Sequence, residues 1–189
     1  MTLRRPNFVR PALITACILL IPLVAMQFTQ EVNWTFSDFV IMGALIFGTG
    51  LAFELLLSQG GSVTYRMGAL LAVAAGFLSV WVNLAVGIIG SGPNPANLLL
   101  GAPFVVAIVG AMMVRLRASG LALAMLAAGL VQFLAPLVAL LFWKPEFNLD
   151  VTRGLWGNLI FVALWLLSAW LFRQAAGPSR PAQSNAHAA

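Results

Sequence analysis

Six apolar stretches follow one another along the chain, at 12–28, 38–58, 67–90, 95–114, 120–142 and 155–172. A hydrocarbon core about 30 Å thick is crossed by about 17 to 25 helical residues rising 1.5 Å each, so every stretch has the length of one crossing. The runs are continuous. Membrane barrel strands instead alternate weakly over about ten residues, and within lipid a helix is the other element that satisfies its own backbone. The pattern predicts an all-α, polytopic membrane helix bundle of about six transmembrane helices. Short connectors make successive helices antiparallel neighbours.

Residues at the boundaries support this division. Thr35-Phe36-Ser37-Asp38 has capping-box spacing ahead of the second stretch, and Asn94 followed by Pro95 reads as an N-cap with a first-turn proline. The fourth stretch is the weakest, because Gly101 and Pro103 interrupt it. As a re-entrant segment it would reduce the count to five and carry the basic tail to the other side. The first stretch ends in Met26-Gln27-Phe28 without a small-residue cleavage site, so it is expected to stay as a span. Residues 1–176 then form one transmembrane domain. The remaining segment to Ala189, rich in Pro, Ser and Ala, is expected to be a disordered tail.

Composition changes the picture in one respect. Of 189 residues 61% are hydrophobic and 8% charged, against roughly 25% charged in soluble domains, so almost nothing lies outside the membrane. The few charges are unevenly placed. With the N-terminus inside, Arg4, Arg5, Arg10, Arg66, Arg115, Arg117, Arg173 and Arg180 fall on the cytoplasmic side, leaving Lys144 and Arg153 outside. Basic residues concentrate in cytoplasmic loops near span ends, so both termini are expected in the cytoplasm. Glu31, Asp38, Glu146 and Asp150 fall outside, and Glu54 is the fifth acid. The expected contacts are lipid and other membrane proteins or further copies of the chain, with no nucleic acid.

Trp34, Trp143 and Trp156 are expected at the outer interface, Tyr65 and Trp170 at the inner one, and Trp81 and Trp165 between helices. Small residues recur every four positions in three rows: Ala44, Gly48, Ala52; Gly68, Ala72, Gly76; Gly120, Ala124, Ala128. Such rows let helix backbones approach closely in lipid, and bundle packing is their expected role.

Several chemistries are excluded. His187 is the one histidine and lies in the tail, which removes paired-histidine haem and His-ligated zinc or iron within the bundle. Cys17 is the one cysteine, so intrachain disulfides and thiolate clusters are impossible. Phosphate loops, the Gly-x-Ser-x-Gly elbow and the His-Glu-x-x-His helix are missing. No cofactor and no catalysis are expected. Asn94-Pro95-Ala96 is also the triplet that aquaporins carry twice at half-helix tips. A second copy is lacking and this one falls on the outer side, so the helix-cap reading stands.

Polar residues inside spans are the remaining candidates. They are Asn83 and Asn158 in outer halves, Gln132 near the middle of the fifth span, Asn94 and Asn97 in the adjoining loop, and Glu54. Their ordinary role is interhelical hydrogen bonding, and Asn83, Asn158, Asn94 and Asn97 would make an outer polar layer. Glu54 shares its helix side with Gly43, Gly50 and Ser58, opposite Leu45, Thr49, Phe53 and Leu56. It should face the bundle near Arg66, Arg115 and Arg117.

Trp81 to Gly90 (WVNLAVGIIG) followed by Asn94-Pro95-Ala96-Asn97 resembles the signature of a family of small, uncharacterised bacterial inner-membrane proteins. Trp34-x-x-x-Asp38-Phe39, Gly50-Leu51 ahead of Glu54-Leu55, and Tyr65-Arg66 carry the resemblance across about Trp34 to Arg117. It implies a bacterial inner membrane and no particular activity. In that family the loop after GIIGS is acidic, whereas this chain has Gly92-Pro93, so no ion-attracting loop is implied. The sequence favours a non-catalytic structural or complex-associated membrane component. The alternative, a small transporter or channel, requires Glu54, Gln132 and Asn83 to line one path.

Overall fold

The computed structural model describes residues 7–59, 61–86, 95–143 and 149–177. They form α1 (Val9–Phe28), α2 (Phe36–Ser58), α3 (Val63–Val86), α4 (Ala102–Met113), α5 (Ala118–Trp143) and α6 (Leu149–Ala175), with a 3-10 helix over Pro95–Gly101 leading into α4. All but α4 are long and apolar enough to cross a membrane. The protein is an all-helical, multi-pass membrane bundle. Asn94, Lys144, Glu146 and the expected disordered tail beyond Gly177, with its Arg180 and His187, lie outside the described residues.

The helices begin and end where their residues dictate. Thr35 accepts from the Asp38 N–H at 3.4 Å while Asp38 Oδ2 accepts from the Thr35 N–H at 2.7 Å, closing the capping box at the start of α2. The long helices overrun the apolar stretches, most of all α6, which begins at Leu149 and includes Thr152 and Arg153. Apolar run length marks the lipid-facing part, and a helix continues past it while its backbone bonds do.

The fourth stretch, 95–114, breaks at the Gly101 and Pro103 expected to interrupt it. Pro95–Gly101 winds as a 3-10 helix and α4 spans only Ala102–Met113. Pro103 lacks an N–H and is suited to a first helical turn, so the α-helix restarts behind Gly101 instead of running through. At their respective rises the two pieces span about 14 Å and about 18 Å.

Cross-contacts fix the alternation of the helices. Near the start of α3 the Tyr65 hydroxyl donates to the Leu116 carbonyl just past α4 (2.9 Å), and its ring meets Phe172 near the end of α6 edge-on at 5.2 Å. Arg10 at the start of α1 reaches Glu54 near the end of α2. One end of the bundle therefore gathers Arg10, Arg66, Arg115, Arg117 and Arg173, while Asp38 and Arg153 begin helices at the other. Tyr65 lies at the arginine-rich end, and it is buried there because the Leu116 carbonyl gives its hydroxyl a partner inside the protein.

α6 packs against α3 and α5, α4 lies on α5, and the 3-10 helix fits between α3 and α5. α2 joins this core through α3, and α1 packs on α2. Two of the three small-residue rows make close contacts. A Cβ on Gly68 would lie 3.3 Å from the Phe172 ring, and one on Gly76 3.2 Å from Phe104. One on Gly110 would lie 2.7 Å from the Ala124 Cβ, one on Gly120 would overlap Val114, and Ala128 is fully buried.

The third row is a correction. Ala44, Gly48 and Ala52 are exposed, with nothing within 4 Å of a Cβ on Gly48. Four-residue spacing marks a face that can receive a helix, but lipid leaves small residues unpunished when none is there. Trp81 is likewise 43% exposed and stacks on Phe77 of its own helix instead of packing between helices. Phe53 and Leu56, assigned to the far side of α2, pack on the core, and Thr49 beside them is half-buried.

Candidate functional site

The buried polar residues of the spans fall into separate helix contacts. The largest joins the middle of α5 to α6. Gln132, Asn158 and Trp165 are almost wholly buried, at 0%, 2% and 1% exposure. Gln132 Nε2 donates to Asn158 Oδ1 at 2.6 Å, Asn158 Nδ2 donates to the Gln132 main-chain carbonyl at 2.9 Å, and Trp165 Nε1 donates to Gln132 Oε1 at 3.3 Å.

The carbonyl in this group has a local origin. Residue 136 is proline and has no N–H to bond four residues back, so the oxygen of Gln132 is released from the α5 ladder. Asn158 supplies the missing donor from the neighbouring helix. A freed backbone group inside lipid must be satisfied by a neighbouring helix, a side chain or water, and here a side chain does it. Gln132 and Asn158 thus answer each other on both sides, which makes the group a closed helix lock. Ser168 adds a similar tie, donating to the Gly68 carbonyl of α3 at 2.8 Å.

Asn83 is in a second contact. Its Nδ2 donates to the Asn97 carbonyl in the 3-10 helix at 2.8 Å, and its Oδ1 is buried without a hydrogen-bond partner among the described residues. The expected outer polar layer is therefore divided. Asn83 and Asn97 come together as anticipated, Asn158 turns instead to Gln132, and Asn94 lies outside the described residues. Leu100, Ala135, Ala139 and Phe161, flanked by Val82 and Leu164, make an apolar cluster on the same helices.

Glu54 is in a third contact, at the arginine-rich end. Its Oε1 lies 3.9 Å from Arg10 Nη1, with the two side chains 21% and 57% exposed. The expected partners Arg66, Arg115 and Arg117 are corrected to Arg10. The face of α2 that carries Glu54 meets α1: a Cβ on Gly50 would lie 3.0 Å from Pro11, and one on Gly43 3.2 Å from Leu19. Glycines on this face bring α1 close enough for its first arginine to reach the carboxylate. Grouping Gly43, Gly50 and Glu54 on one face was correct, but α1 covers that face and not the centre of the bundle.

A shallow open depression marks the turn between α4 and α5, lined by Met113, Val114, Arg115, Arg117, Ser119 and Gly120. Glu54, Asn83 and Gln132 take no part in it. Among the described residues no three His, Cys, Asp or Glu side chains gather as a metal site requires.

Sequence reasoning missed Arg10 as the partner of Glu54 and Trp165 as a hydrogen-bond donor. The spacing of Gln132 to Pro136 did carry a signal, since a proline inside a span frees the carbonyl four residues earlier. Comparison with protein-family models, with curated proteins and with solved structures gives no match to the chain.

Proposed function

We propose that the protein is a non-catalytic membrane component, a packing partner in a larger assembly or a structural element of the bilayer. The observation that carries this reading is the separation of Glu54, Asn83 and Gln132 into three helix contacts on different helix pairs. Solute passage needs polar groups lining a common path with unmet hydrogen-bonding capacity. The Gln132 group instead directs its hydrogen bonds inward between α5 and α6. An acid–base pair for catalysis needs two titratable groups within reach of one reacting atom, and Glu54 is partnered by an arginine.

The membrane in this reading is a bacterial inner membrane, with both termini cytoplasmic. Support comes from the arginines gathered at one end of the bundle and from the resemblance carried by Trp81–Gly90 and Asn97. A cytoplasm-dependent reporter fused after Arg173 is expected to be active; activity of a periplasm-dependent reporter there overturns the orientation.

The function is tested with purified full-length protein in proteoliposomes and by gentle detergent extraction from membranes. The expected results are ion and solute flux at the level of protein-free vesicles and co-extraction of a membrane protein at fixed stoichiometry. Flux that disappears in Gln132→Leu or Asn83→Leu would overturn the component reading in favour of transport.

A further inference from the structure

The turn that joins α4 to α5 brings two cations and an apolar rim into one place. Arg115 and Leu116 both take left-handed backbone conformations, with φ of 51° and 57°, which reverses the chain within residues 114–117. Tyr65 holds that reversal by donating its hydroxyl to the Leu116 carbonyl. The result is the open depression with Arg115 and Arg117 on its wall beside Ser119 and Gly120. Among the described residues neither guanidinium meets a carboxylate, since Glu54 is drawn toward Arg10 and Asp38 begins α2 at the opposite end.

The other side of the depression is apolar. Met113 and Val114 line it, and Met112 and Met113 are exposed at 72% and 78% on the last turn of α4. Cations at a span end with exposed methionines on the adjacent turn match an amphiphile, not a free anion, because the charged and apolar parts of one molecule meet complementary surfaces in order of depth. Basic pockets between transmembrane helices recognise anionic headgroups on this principle. The guanidinium fork donates to two phosphate oxygens at a time, and the Ser119 hydroxyl stands beside it as a neutral donor.

We propose that the α4–α5 turn binds the phosphate group of an anionic phospholipid through Arg115 and Arg117, with the acyl chains lying along Met112 and Met113. The proposal depends on membrane embedding and not on the component reading, so either stands if the other fails.

The test is native mass spectrometry of the full-length protein released from neutral detergent micelles supplemented with phosphatidylglycerol, with phosphatidylcholine, or with inorganic phosphate. The wild type is expected to retain phosphatidylglycerol in preference to phosphatidylcholine, and Arg115→Gln/Arg117→Gln to weaken that retention about tenfold or more. Arg66→Gln, at the same end but outside the depression, should leave it within about twofold. The charge-conserving pair Arg115→Lys/Arg117→Lys guards against a folding defect and should retain more lipid than the glutamine pair. Equal loss in Arg66→Gln and the glutamine pair would overturn the site in favour of diffuse charge attraction. Displacement of the lipid by millimolar inorganic phosphate would overturn the lipid assignment in favour of a free anion.

Discussion

The α1–α2 pair and the α3–α6 core are made of similarly apolar helices that sit in very different surroundings. Within their spanning windows 11% of α1 and 6% of α2 are buried, against 33% of α3, 39% of α5 and 33% of α6. Hydropathy therefore qualifies a segment to enter lipid without saying what it will touch. In water the apolar face of a helix must find a partner, whereas lipid tails serve as well as leucines, and association follows close packing and hydrogen bonds. The core has both, in the Gly68–Ala72–Gly76 and Gly120–Ala124–Ala128 rows and in the Gln132–Asn158–Trp165 lock. The outer pair is joined more lightly, by Gly43 against Leu19, Gly50 against Pro11, and one loose ion pair.

The comparison is broken most readily by enlarging small residues in both regions. Gly120→Leu or Gly76→Leu forces a side chain into Val114 or Phe104 and should cost about 3 kcal/mol or more, read as lost folded yield and a lower unfolding temperature in detergent. Gly48→Leu faces open space and should stay within about 0.5 kcal/mol of wild type by the same measurement. Similar losses at Gly48 and Gly76 would erase the distinction between the two regions.

The lock in the core makes a sharper demand. Asn158→Leu removes the donor to the Gln132 main-chain carbonyl and the acceptor of its Nε2, leaving only the Trp165 bond to Oε1, and should cost about 1 to 3 kcal/mol. Adding Pro136→Ala returns an N–H to that carbonyl along α5, so Asn158→Leu should cost less in that background than in the wild type. Reversible unfolding of the single and double variants measures the difference. Identical costs in both backgrounds would show that the freed carbonyl is irrelevant.

The outer pair should respond weakly and locally. Gly50→Leu is expected to part the ends of α1 and α2, exposing the start of α1 to protease while the core keeps its unfolding temperature. Glu54→Gln removes a loose ion pair at 3.9 Å whose Arg10 partner is more than half exposed, and should change stability by less than about 1 kcal/mol. A larger loss from Glu54→Gln than from Asn158→Leu would invert the ranking of the two regions.

What the sequence disclosed follows the same physics. Number, order and alternation of the helices were legible, because crossing length and charge asymmetry are properties of single segments, as the capping box at Thr35 also is. Neighbour identity was not. Ala44–Gly48–Ala52 and Gly68–Ala72–Gly76 have equal spacing, yet α3 lies under α6 and that face of α2 is bare. Glu54 was correctly grouped with Gly43 and Gly50, but its partner depended on how α1 folds back, which no periodicity within α2 encodes. Asn83 and Asn97 were grouped in advance within a wider layer that also held Asn94 and Asn158, whereas Gln132 and Asn158 meet across a helix interface and were first joined by the three-dimensional structure. The break at Gly101 and Pro103 was visible, but the 3-10 winding ahead of it was not.

The central claim is that the intramembrane polar residues act in separate helix contacts, and double-mutant cycles on unfolding stability test it most directly. Gln132→Leu combined with Asn158→Leu is predicted to show a coupling of about 0.6 to 2 kcal/mol. Gln132→Leu combined with Glu54→Gln, or with Asn83→Leu, is predicted to be additive within about 0.5 kcal/mol. Coupling between Gln132 and Glu54 as large as that between Gln132 and Asn158 would contradict the account and place both residues in one connected polar network.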